Sequence, residues 1–560
     1  MGVPEPGVVR PCVPGAVRLL TGALPGGGAR ARPVGGGRSR RALRRHVWTR
    51  SPHLLNYGRL ITEAAEVCCR ASQSDEGVAV STVYESLYIG GEWVSPSSSR
   101  TIEVVSASTE EVIGRAPEAV ERDVDAAVAA ARAAFDDPSG WAMWAPADRA
   151  AVMERLADEL DARAPEMARR VASQNGMPIS IAAQLEGVFP QVLLRYYAGL
   201  IRSTELDEVR DGLMGGRIRV TRKPIGVVAG IVPWNYPQTL AAFKLGPALA
   251  MGCTIVLKPS PETVLDAQLF AEAAAAAGLP AGVVNIVQGG RDTGQYLIEH
   301  PQVDKVAFTG STAAGRTVAE TCARLLRPVT LELGGKSAAI VLDDADLASN
   351  LESLFGATLL NNGQTCYLGT RILAPSSRYA EVVDTLTGFA RSLQVGDALD
   401  ERTQIGPVAS SRQRDRIEGY IAKGAGEGAR ITTGGGRPAG LDRGWFVEPT
   451  VFADVDNRHT IAQEEIFGPV LSVISYADVD DAVRIANESD FGLGGSVWTS
   501  DPERGEAVAA RVQTGTIGIN AYLPDPAAPF GGVKQSGLGR ELGPEGLVAY
   551  QALKSIYLAP

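Results

Sequence analysis

Two Ala-rich segments, residues 121–135 and 146–172, repeat apolar residues at i, i+3 and i+4 and place Asp and Arg on the other face. This spacing predicts two amphipathic surface helices. Before them, the runs YIGGEWV, TIEVVSA and EEVIGRAP have the short apolar pattern of paired strands, with Gly90 and Gly91 at a turn. Ordered structure is therefore expected from about Tyr88 onwards.

From Ile225 the pattern changes to short apolar runs that alternate with helical stretches. IGVVAGIV, CTIVLKP, VVNIVQG and KVAFTG predict buried strands, and ETVLDAQLFAEAAAAAG predicts a helix between two of them. A second series, AAIVLDD, RILAPS and LSVISY, is separated by helical blocks that begin at Leu347 and Arg378. Strands of a parallel sheet are buried on both faces and give continuous apolar runs of this kind. The sequence predicts an α/β fold with two doubly wound parallel-sheet domains.

Composition supports a globular protein that needs no membrane and no structural metal. The chain has 560 residues, of which 45% are apolar, enough for a large buried core. Prolines, Asn235 and Lys244 interrupt its most apolar region, residues 225–257, so no membrane span is expected. The six cysteines have no regular spacing, and with four histidines and no CxxC pair they suggest no metal site and a reducing, cytoplasmic location.

The first 84 residues differ from the rest of the chain. Residues 1–80 contain twelve Arg, no Lys and five acidic residues, a net charge of +7, which leaves −17 for the remainder. Their Gly, Pro and Arg content predicts a disordered N-terminal extension over residues 1–84. Three interpretations remain open: a mitochondrial-type transit peptide, a nucleic-acid-binding arm, or sequence upstream of the true start. The last is favoured because Gly runs interrupt any amphipathic helix and the acidic remainder offers no basic surface to nucleic acid.

A turn at Gly310 and Ser311 is the best candidate for a phosphate contact. No GxGxxG motif follows an early strand, and the loop from Gly310 to Gly315 has Arg316 where an ATP-binding loop requires Lys. The strand KVAFT nevertheless runs into this turn and a helix is predicted beyond it. Its first N–H groups would then face an anionic ligand, unless this is an ordinary βα turn.

Cys366 and Glu332 are the candidates for covalent chemistry. Cys366 lies among small polar residues close to Gly363, whereas Cys253 and Cys322 lie in apolar or helical settings that predict buried, inert thiols. Glu332 stands between two leucines and before two glycines, so partial desolvation would raise its pKa towards the range of a general base. A salt-bridged or solvated glutamate is the alternative.

These two segments resemble the paired active-site motifs of the aldehyde dehydrogenase superfamily. ELGGK at 332–336 resembles the motif with the base, and GQTC at 363–366 the motif with the nucleophile. Five further matches follow the family's order, and the resemblance covers roughly residues 85–560. They are PWNYP at 233–237, KPS at 258–260, FTGS at 308–311, EEIFGP at 464–469, and PFGG at 529–532 with Lys534, Ser536 and Gly537.

The resemblance implies oxidation of an aldehyde to a carboxylate through a thiohemiacetal and a thioester on Cys366. It implies that Asn235 donates its amide to the oxyanion and that Glu332 activates water for thioester hydrolysis. Lys244 and Glu541 match positions that assist proton movement, although both also fit a structural ion pair.

The resemblance also implies a dinucleotide site for NAD, with NADP possible. Many NAD-preferring members have Glu three positions after the lysine of the KPS motif, where this chain has Pro261 and then Glu262. NAD is favoured because nothing basic beyond Lys258 lies nearby in the sequence. The implied coenzyme contacts are Ile231, Trp234, Lys258, Ser260, Gly310, Ser311, Gly315, Leu333, Glu465 and Phe467.

Apolar and aromatic residues match the family's substrate funnel, which implies an uncharged, hydrophobic small-molecule aldehyde. They are Tyr236, Leu240, Phe243, Tyr367 and Phe530. By the same resemblance, residues 85–205 and 224–334 form an NAD(P)-binding domain and 335–546 a catalytic domain. Residues 206–223 and 547–560 form a small β oligomerisation arm, so a homodimer or homotetramer is expected.

Two other functions remain as alternatives, a CoA-acylating semialdehyde dehydrogenase and a non-catalytic structural relative. Glu332 argues against the first, because that branch commonly lacks the base. Cys366 and Asn235 argue against the second. No nucleic-acid or membrane partner is expected.

Overall fold

A computed structural model describes residues 82–559 of the chain. The predicted extension over residues 1–84 therefore lies almost wholly outside the described residues. At its end, Thr82 and Val83 pair in parallel with Gly114 and Arg115. The described structure thus includes residues 82–84 of the predicted extension, because a two-residue pairing leaves no periodicity to detect.

The helices and strands alternate along most of the described chain. The helices are α1 (Glu121–Asp136), α2 (Pro146–Asn175), α3 (Ile179–Leu185), α4 (Phe189–Ser203), α5 (Pro237–Met251), α6 (Leu265–Ala276), α7 (Arg291–Glu299), α8 (Thr312–Arg324), α9 (Leu351–Thr358), α10 (Tyr379–Ser392), α11 (Ser411–Gly426), α12 (Thr460–Gln463), α13 (Val479–Asn487), α14 (Pro502–Ala509) and α15 (Gly543–Val548). The strands are β1 (Thr82–Val83), β2 (Leu87–Ile89), β3 (Glu92–Val94), β4 (Thr101–Val105), β5 (Val112–Pro117), β6 (Asp207–Asp211), β7 (Arg217–Pro224), β8 (Val227–Ile231), β9 (Thr254–Lys258), β10 (Val284–Ile286), β11 (Lys305–Thr309), β12 (Val329–Glu332), β13 (Ala338–Val341), β14 (Arg371–Pro375), β15 (Arg430–Thr433), β16 (Thr450–Ala453), β17 (Val470–Tyr476), β18 (Phe491–Gly492), β19 (Gly495–Trp498), β20 (Gly518–Ile519), β21 (Val533–Lys534), β22 (Gly537–Leu538) and β23 (Gln551–Leu558).

The first large sheet has eight strands in the order β22-β12-β11-β8-β9-β10-β2-β3. Its five inner strands are parallel to one another: β12, β11, β8, β9 and β10. Antiparallel strands lie at both edges, β22 at one and β2 with β3 at the other. Every residue of β8, β9 and β11 is buried, as expected for strands covered by helices on both faces. The predicted α/β class is confirmed.

The second large sheet has seven strands in the order β15-β16-β17-β14-β13-β19-β20. Only β15 runs antiparallel to its neighbour. Three of the apolar runs singled out in the sequence form β13, β14 and β17 at its centre. A separate three-stranded antiparallel sheet joins β23, β7 and β6, so residues distant in sequence pair at the C-terminus.

The carboxyl edge of the first sheet collects polar residues. Ile231 and Lys258 are register partners at the ends of β8 and β9, and Thr309 and Glu332 are partners at the ends of β11 and β12. Ligands of open α/β sheets bind beyond this edge.

No helix within residues 82–559 is long and apolar enough to cross a membrane.

Candidate active site

A left-handed turn places Cys366. Asn361, Asn362 and Gly363 have φ values of 52°, 60° and 74°. A Cβ on Gly363 would lie 2.1 Å from the Gly468 carbonyl oxygen, so only glycine allows the two segments to approach this closely. The turn therefore packs the loop that carries Cys366 directly against the segment 464–469.

The Cys366 thiol is partly buried. Burial raises the pKa of the thiol above its ordinary value, and the Glu465 and Glu332 carboxylates raise it further. The backbone N–H groups of Cys366 and Tyr367 oppose this shift, but burial outweighs them, so the arrangement favours the thiol over the thiolate that nucleophilic attack requires. The two carboxylates nevertheless act on one thiol, so residues from separate motifs converge at one place.

Glu332 ends β12 and is 2% exposed. Neither of its carboxylate oxygens has a hydrogen-bond partner among the described residues. Burial raises the pKa of Glu332 well above its usual range, Glu541 adds to the effect, and Lys244 and Arg540 oppose it. The desolvated glutamate predicted from its apolar neighbours is confirmed, and the salt-bridged alternative is wrong.

The segment around Ser536 fixes the strand that carries Glu332. Gly537 pairs with Glu332 across β22 and β12, and a Cβ on Gly537 would lie 2.1 Å from the Leu331 carbonyl oxygen. The Ser536 hydroxyl donates to the Gly334 carbonyl at 2.7 Å, and the Ser536 carbonyl accepts from the Leu333 N–H at 2.9 Å. The motif at 534–537 thus holds the ELGGK segment in place.

Asn235 lies in the turn between β8 and α5 and is 4% exposed. Its side-chain amide donates to the Gln364 carbonyl oxygen at 2.9 Å, two residues before Cys366. Its own carbonyl accepts from the Asn361 amide at 3.0 Å. Asn235 is therefore hydrogen-bonded on both sides to the loop that carries the thiol.

Lys244 and Glu541 form a buried ion pair. Lys244 Nζ lies 3.0 Å from Glu541 Oε1, and the two side chains are 0% and 2% exposed. Lys244 Nζ also donates to Thr309 Oγ1 at 2.6 Å. The pair adjoins Glu332, whose pKa both charges affect.

Lys258 and Ser260 lie at the end of β9. Lys258 Nζ donates to the carbonyls of Pro259 and Gly289, both at 2.8 Å. Burial lowers the pKa of Lys258 to about 8, and Glu262 opposes the shift. The Ser260 hydroxyl donates to Glu262, which also pairs with Arg412 at 3.1 Å.

Gly310, Ser311, Gly315 and Leu333 meet at the start of α8. Ser311 caps the helix by accepting from the Ala314 N–H at 3.3 Å, and Gly310 N–H donates to the Glu332 carbonyl at 3.0 Å. A Cβ on Gly315 would lie 2.4 Å from Leu333 Cδ2. The predicted helix beyond the turn is confirmed.

Glu465 contacts the ELGGK segment, and Phe467 contacts Trp234. Glu465 Oε1 accepts from the Gly335 N–H at 3.0 Å, and burial raises the pKa of Glu465 to about 7. The rings of Trp234 and Phe467 meet edge to face with centroids 5.4 Å apart.

The five residues predicted for the substrate funnel belong to one core cluster, against which Cys366 packs. Tyr236 OH shares a 2.7 Å hydrogen bond with Thr365 Oγ1. The centroid of the Phe530 ring lies 6.1 Å from that of Phe243 and 6.2 Å from that of Tyr367. The cluster is completed by Leu240, which is 8% exposed.

Tyr522 packs beside the predicted substrate residues, although the sequence gives no indication of it. Its ring lies 4.7 Å from that of Tyr367, and both Cys366 and Glu332 raise its pKa in addition to burial. It follows no motif, so only the fold reveals its position.

Residues 82–559 contain no cluster of His, Cys, Asp or Glu that would hold a metal.

Known proteins resemble this chain over most of its length. The sequence model of the aldehyde dehydrogenase family matches residues 93–556. A geranial dehydrogenase of Castellaniella defragrans is 55% identical over 475 residues, covering 85% of this chain and 99% of the relative.

Solved structures resemble the chain as well. The crystal structure of Mycobacterium tuberculosis aldehyde dehydrogenase complexed with NAD+ has a TM-score of 0.84 and 50% identity, covering 86% of this chain and 99% of that one. A mutant of Pseudomonas syringae aldehyde dehydrogenase C, complexed with NAD+ and octanal, has a TM-score of 0.82 and 39% identity, covering 87% and 98%. The chain belongs to the aldehyde dehydrogenase family.

Proposed function

We propose that this enzyme oxidises an uncharged, hydrophobic aldehyde to a carboxylate through a thioester on Cys366. The observation that supports it most directly is the convergence on one thiol of Glu332 from the first sheet and Glu465 from a loop beside the second. A buried nucleophile and a desolvated carboxylate beside an aromatic pocket suit acyl chemistry on an apolar substrate.

In the first step, the Cys366 sulfur forms a bond to the aldehyde carbon and its proton leaves to solvent or a base. The aldehyde oxygen then carries negative charge, which the Asn235 amide and the Cys366 N–H would stabilise. Because burial raises the thiol pKa, we expect substrate or coenzyme binding to change the surroundings of the thiol before it ionises.

In the last step, Glu332 takes a proton from water while the water oxygen bonds to the thioester carbon. The carbon–sulfur bond breaks, the thiolate leaves, and the carboxylate product departs. Glu332 must be ionised to act as the base, so its raised pKa limits turnover at low pH. Lys244, which lowers that pKa, would favour the active form.

The residues at the carboxyl edge fit a dinucleotide. The first N–H groups of α8 have no partners within the helix, Lys258 is a buried cation, and Glu465 offers its second carboxylate oxygen. We propose that the ten predicted residues hold NAD, which when bound would accept the hydride from the substrate carbon. Glu262, anchored by Ser260 and Arg412, carries negative charge close to Lys258 and favours NAD over NADP.

Two relatives support a hydrophobic substrate. One is named for geranial, a terpenoid aldehyde, and another was crystallised with octanal. The aromatic cluster of Tyr236, Phe243, Tyr367, Tyr522 and Phe530 offers an apolar wall of matching chemistry. Glu332 argues against the CoA-acylating alternative, since a base for water has no use in thiol transfer. Cys366 and Asn235 argue against a non-catalytic relative.

Domain roles, assembly and location belong to the same proposal. We assign coenzyme binding to residues 85–205 and 224–334 and catalysis to 335–546. Strand β23 is an edge strand with exposed Leu553, Ile556 and Tyr557, and edge strands of this kind pair with other chains. Residues 206–223 and 547–560 would thus join subunits into a homodimer or homotetramer in the cytoplasm. Light scattering after size-exclusion chromatography tests the oligomeric state.

The test of the function is a panel of aldehydes assayed with NAD and NADP. Geranial and octanal should give NADH with higher kcat/KM than glyceraldehyde or betaine aldehyde. Cys366→Ala should abolish the reaction, while the matched control Cys322→Ala, a buried cysteine of α8, should retain it. Activity that survives Cys366→Ala, or a preference for charged aldehydes, would contradict the proposal.

A further inference from the structure

Another buried lysine, Lys305, lies on the same face of the first sheet as Glu332. In the parallel pair β11 and β12, Ala307 is opposite Thr330 and Thr309 is opposite Glu332. Side chains alternate between the two faces of a sheet, so Lys305 and Thr309 share a face with Thr330 and Glu332. The chemistry proposed above gives Lys305 no part.

Lys305 is buried, and its ammonium group contacts Thr330 and Tyr550. The side chain is 2% exposed, and Nζ donates to Thr330 Oγ1 at 2.7 Å. Nζ also lies 5.1 Å from the centroid of the Tyr550 ring, in a cation–π contact. No carboxylate within residues 82–559 pairs with it at salt-bridge distance, which is unusual for a buried ammonium group.

Glu541 links Lys305 electrostatically to Glu332. Its carboxylate pairs with Lys244 at 3.0 Å, raises the pKa of Glu332, and raises that of Lys305 against the lowering effect of burial. Two acids and two lysines therefore form one buried charge group. The charged and titratable groups facing Lys305 are Glu541, Lys244, Cys253, Cys322 and Tyr550.

We propose that Lys305 is a positioning residue for thioester hydrolysis, whose ammonium group balances Glu541 so that Glu332 can ionise. The inference rests on the proposed role of Glu332 as the base. In a coupled group of acids, removal of a positive charge raises every macroscopic pKa. Burial lowers the pKa of Lys305 to about 8, so its charge is present below that pH and is lost above it.

Hydrolysis can be measured apart from the coenzyme. Acetylation of Cys366 with p-nitrophenyl acetate, followed by rapid gel filtration, gives an acyl-enzyme whose decay is followed by intact-protein mass spectrometry from pH 5.5 to 10. The variants are Lys305→Met, Lys305→Arg and Thr330→Val, with Lys423→Met on exposed α11 as the matched control. Circular dichroism melting identifies any variant that fails to fold.

Lys305→Met should shift the acid limb of the pH profile of deacylation by about 0.5 to 1 pH unit towards higher pH, as expected for loss of a neighbouring charge. Deacylation at pH 7 then slows about threefold to tenfold, while the rate above pH 9 matches wild type. Lys305→Arg should restore the wild-type limb, and Thr330→Val should give a smaller shift in the same direction.

A profile that superimposes on wild type, or a rate lowered equally at every pH, overturns the inference. If Lys305→Met does not fold, an unshifted limb in Thr330→Val has the same consequence. Failure of the proposed function gives other results: wild type carries no acetyl group on Cys366, or Glu332→Gln deacylates as fast as wild type.

Discussion

Glu332→Gln separates formation of the thioester from its hydrolysis. The substitution preserves side-chain size and, since neither carboxylate oxygen has a hydrogen-bond partner among the described residues, it breaks no hydrogen bond there. A positioned general base contributes about a hundredfold to ten-thousandfold in rate. That range corresponds to about 2.7 to 5.4 kcal/mol of activation free energy for hydrolysis. Attack by Cys366 should not be slowed, because loss of the Glu332 charge lowers the pKa of the thiol.

The assay is stopped-flow NADH absorbance with geranial and NAD. Glu332→Gln should give a first-turnover burst close to one NADH per subunit and a steady state lower by the factor above, whereas exposed Glu320→Gln should behave as wild type. Burst and steady state that fall together would refute the assignment, because a hydrolytic base acts only after NADH forms. Wild-type turnover would refute it equally.

The same substitution should change stability with a definite sign. The folded-state pKa of Glu332 is raised, so the carboxyl group is most favourable when protonated, and its contribution is lost as pH rises through that pKa. Gln has no such loss. Glu332→Gln should therefore melt at the same or a higher temperature than wild type at pH 8, with the difference vanishing near pH 4. A lower melting temperature at pH 8 would contradict the burial argument.

Three further substitutions test the site. Asn235→Ala should lower kcat/KM about a hundredfold or more by removing an oxyanion donor, with near-wild-type circular dichroism; a tenfold loss or less would exclude that role. Gly315→Ala places a Cβ 2.4 Å from Leu333 Cδ2, so it should raise the Kd for NAD in calorimetry and leave acetylation by p-nitrophenyl acetate unchanged. Lys244→Met leaves Glu541 buried without its partner and should lower the free energy of unfolding in urea by about 3–5 kcal/mol; a change under about 1 kcal/mol would contradict the ion pair's structural role.

The sequence predicts the centre of each large sheet better than its edges. Strands such as Val227–Ile231 are buried on both faces and give continuous apolar runs, which are recognisable without a partner. Thr450–Ala453 and Gly495–Trp498 are equally buried but have only four residues each. The pair Gly537–Leu538 exists only because it meets β12, and a contact across two hundred positions leaves no local pattern.

The sequence likewise indicates some residues of the candidate site and misses others. Cys366 and Glu332 are recognisable because each lies in a compact motif, and the apolar neighbours of Glu332 correctly indicate desolvation. Tyr522 lies in no motif and reaches the pocket through tertiary contact with Tyr367. The small polar neighbours of Cys366 give no indication of its pKa, which is raised by burial and by the carboxylates of Glu332 and Glu465, 34 positions earlier and 99 later in the chain.

The most direct test of a thioester on Cys366 is peptide mass spectrometry of Glu332→Gln, quenched in acid within the NADH burst after mixing with octanal and NAD. The account predicts an octanoyl group on the peptide that contains Cys366, in an amount equal to the NADH formed, and none on the peptides with Cys253 or Cys322. A full NADH burst with Cys366 unmodified, or with the acyl group on another residue, would contradict it.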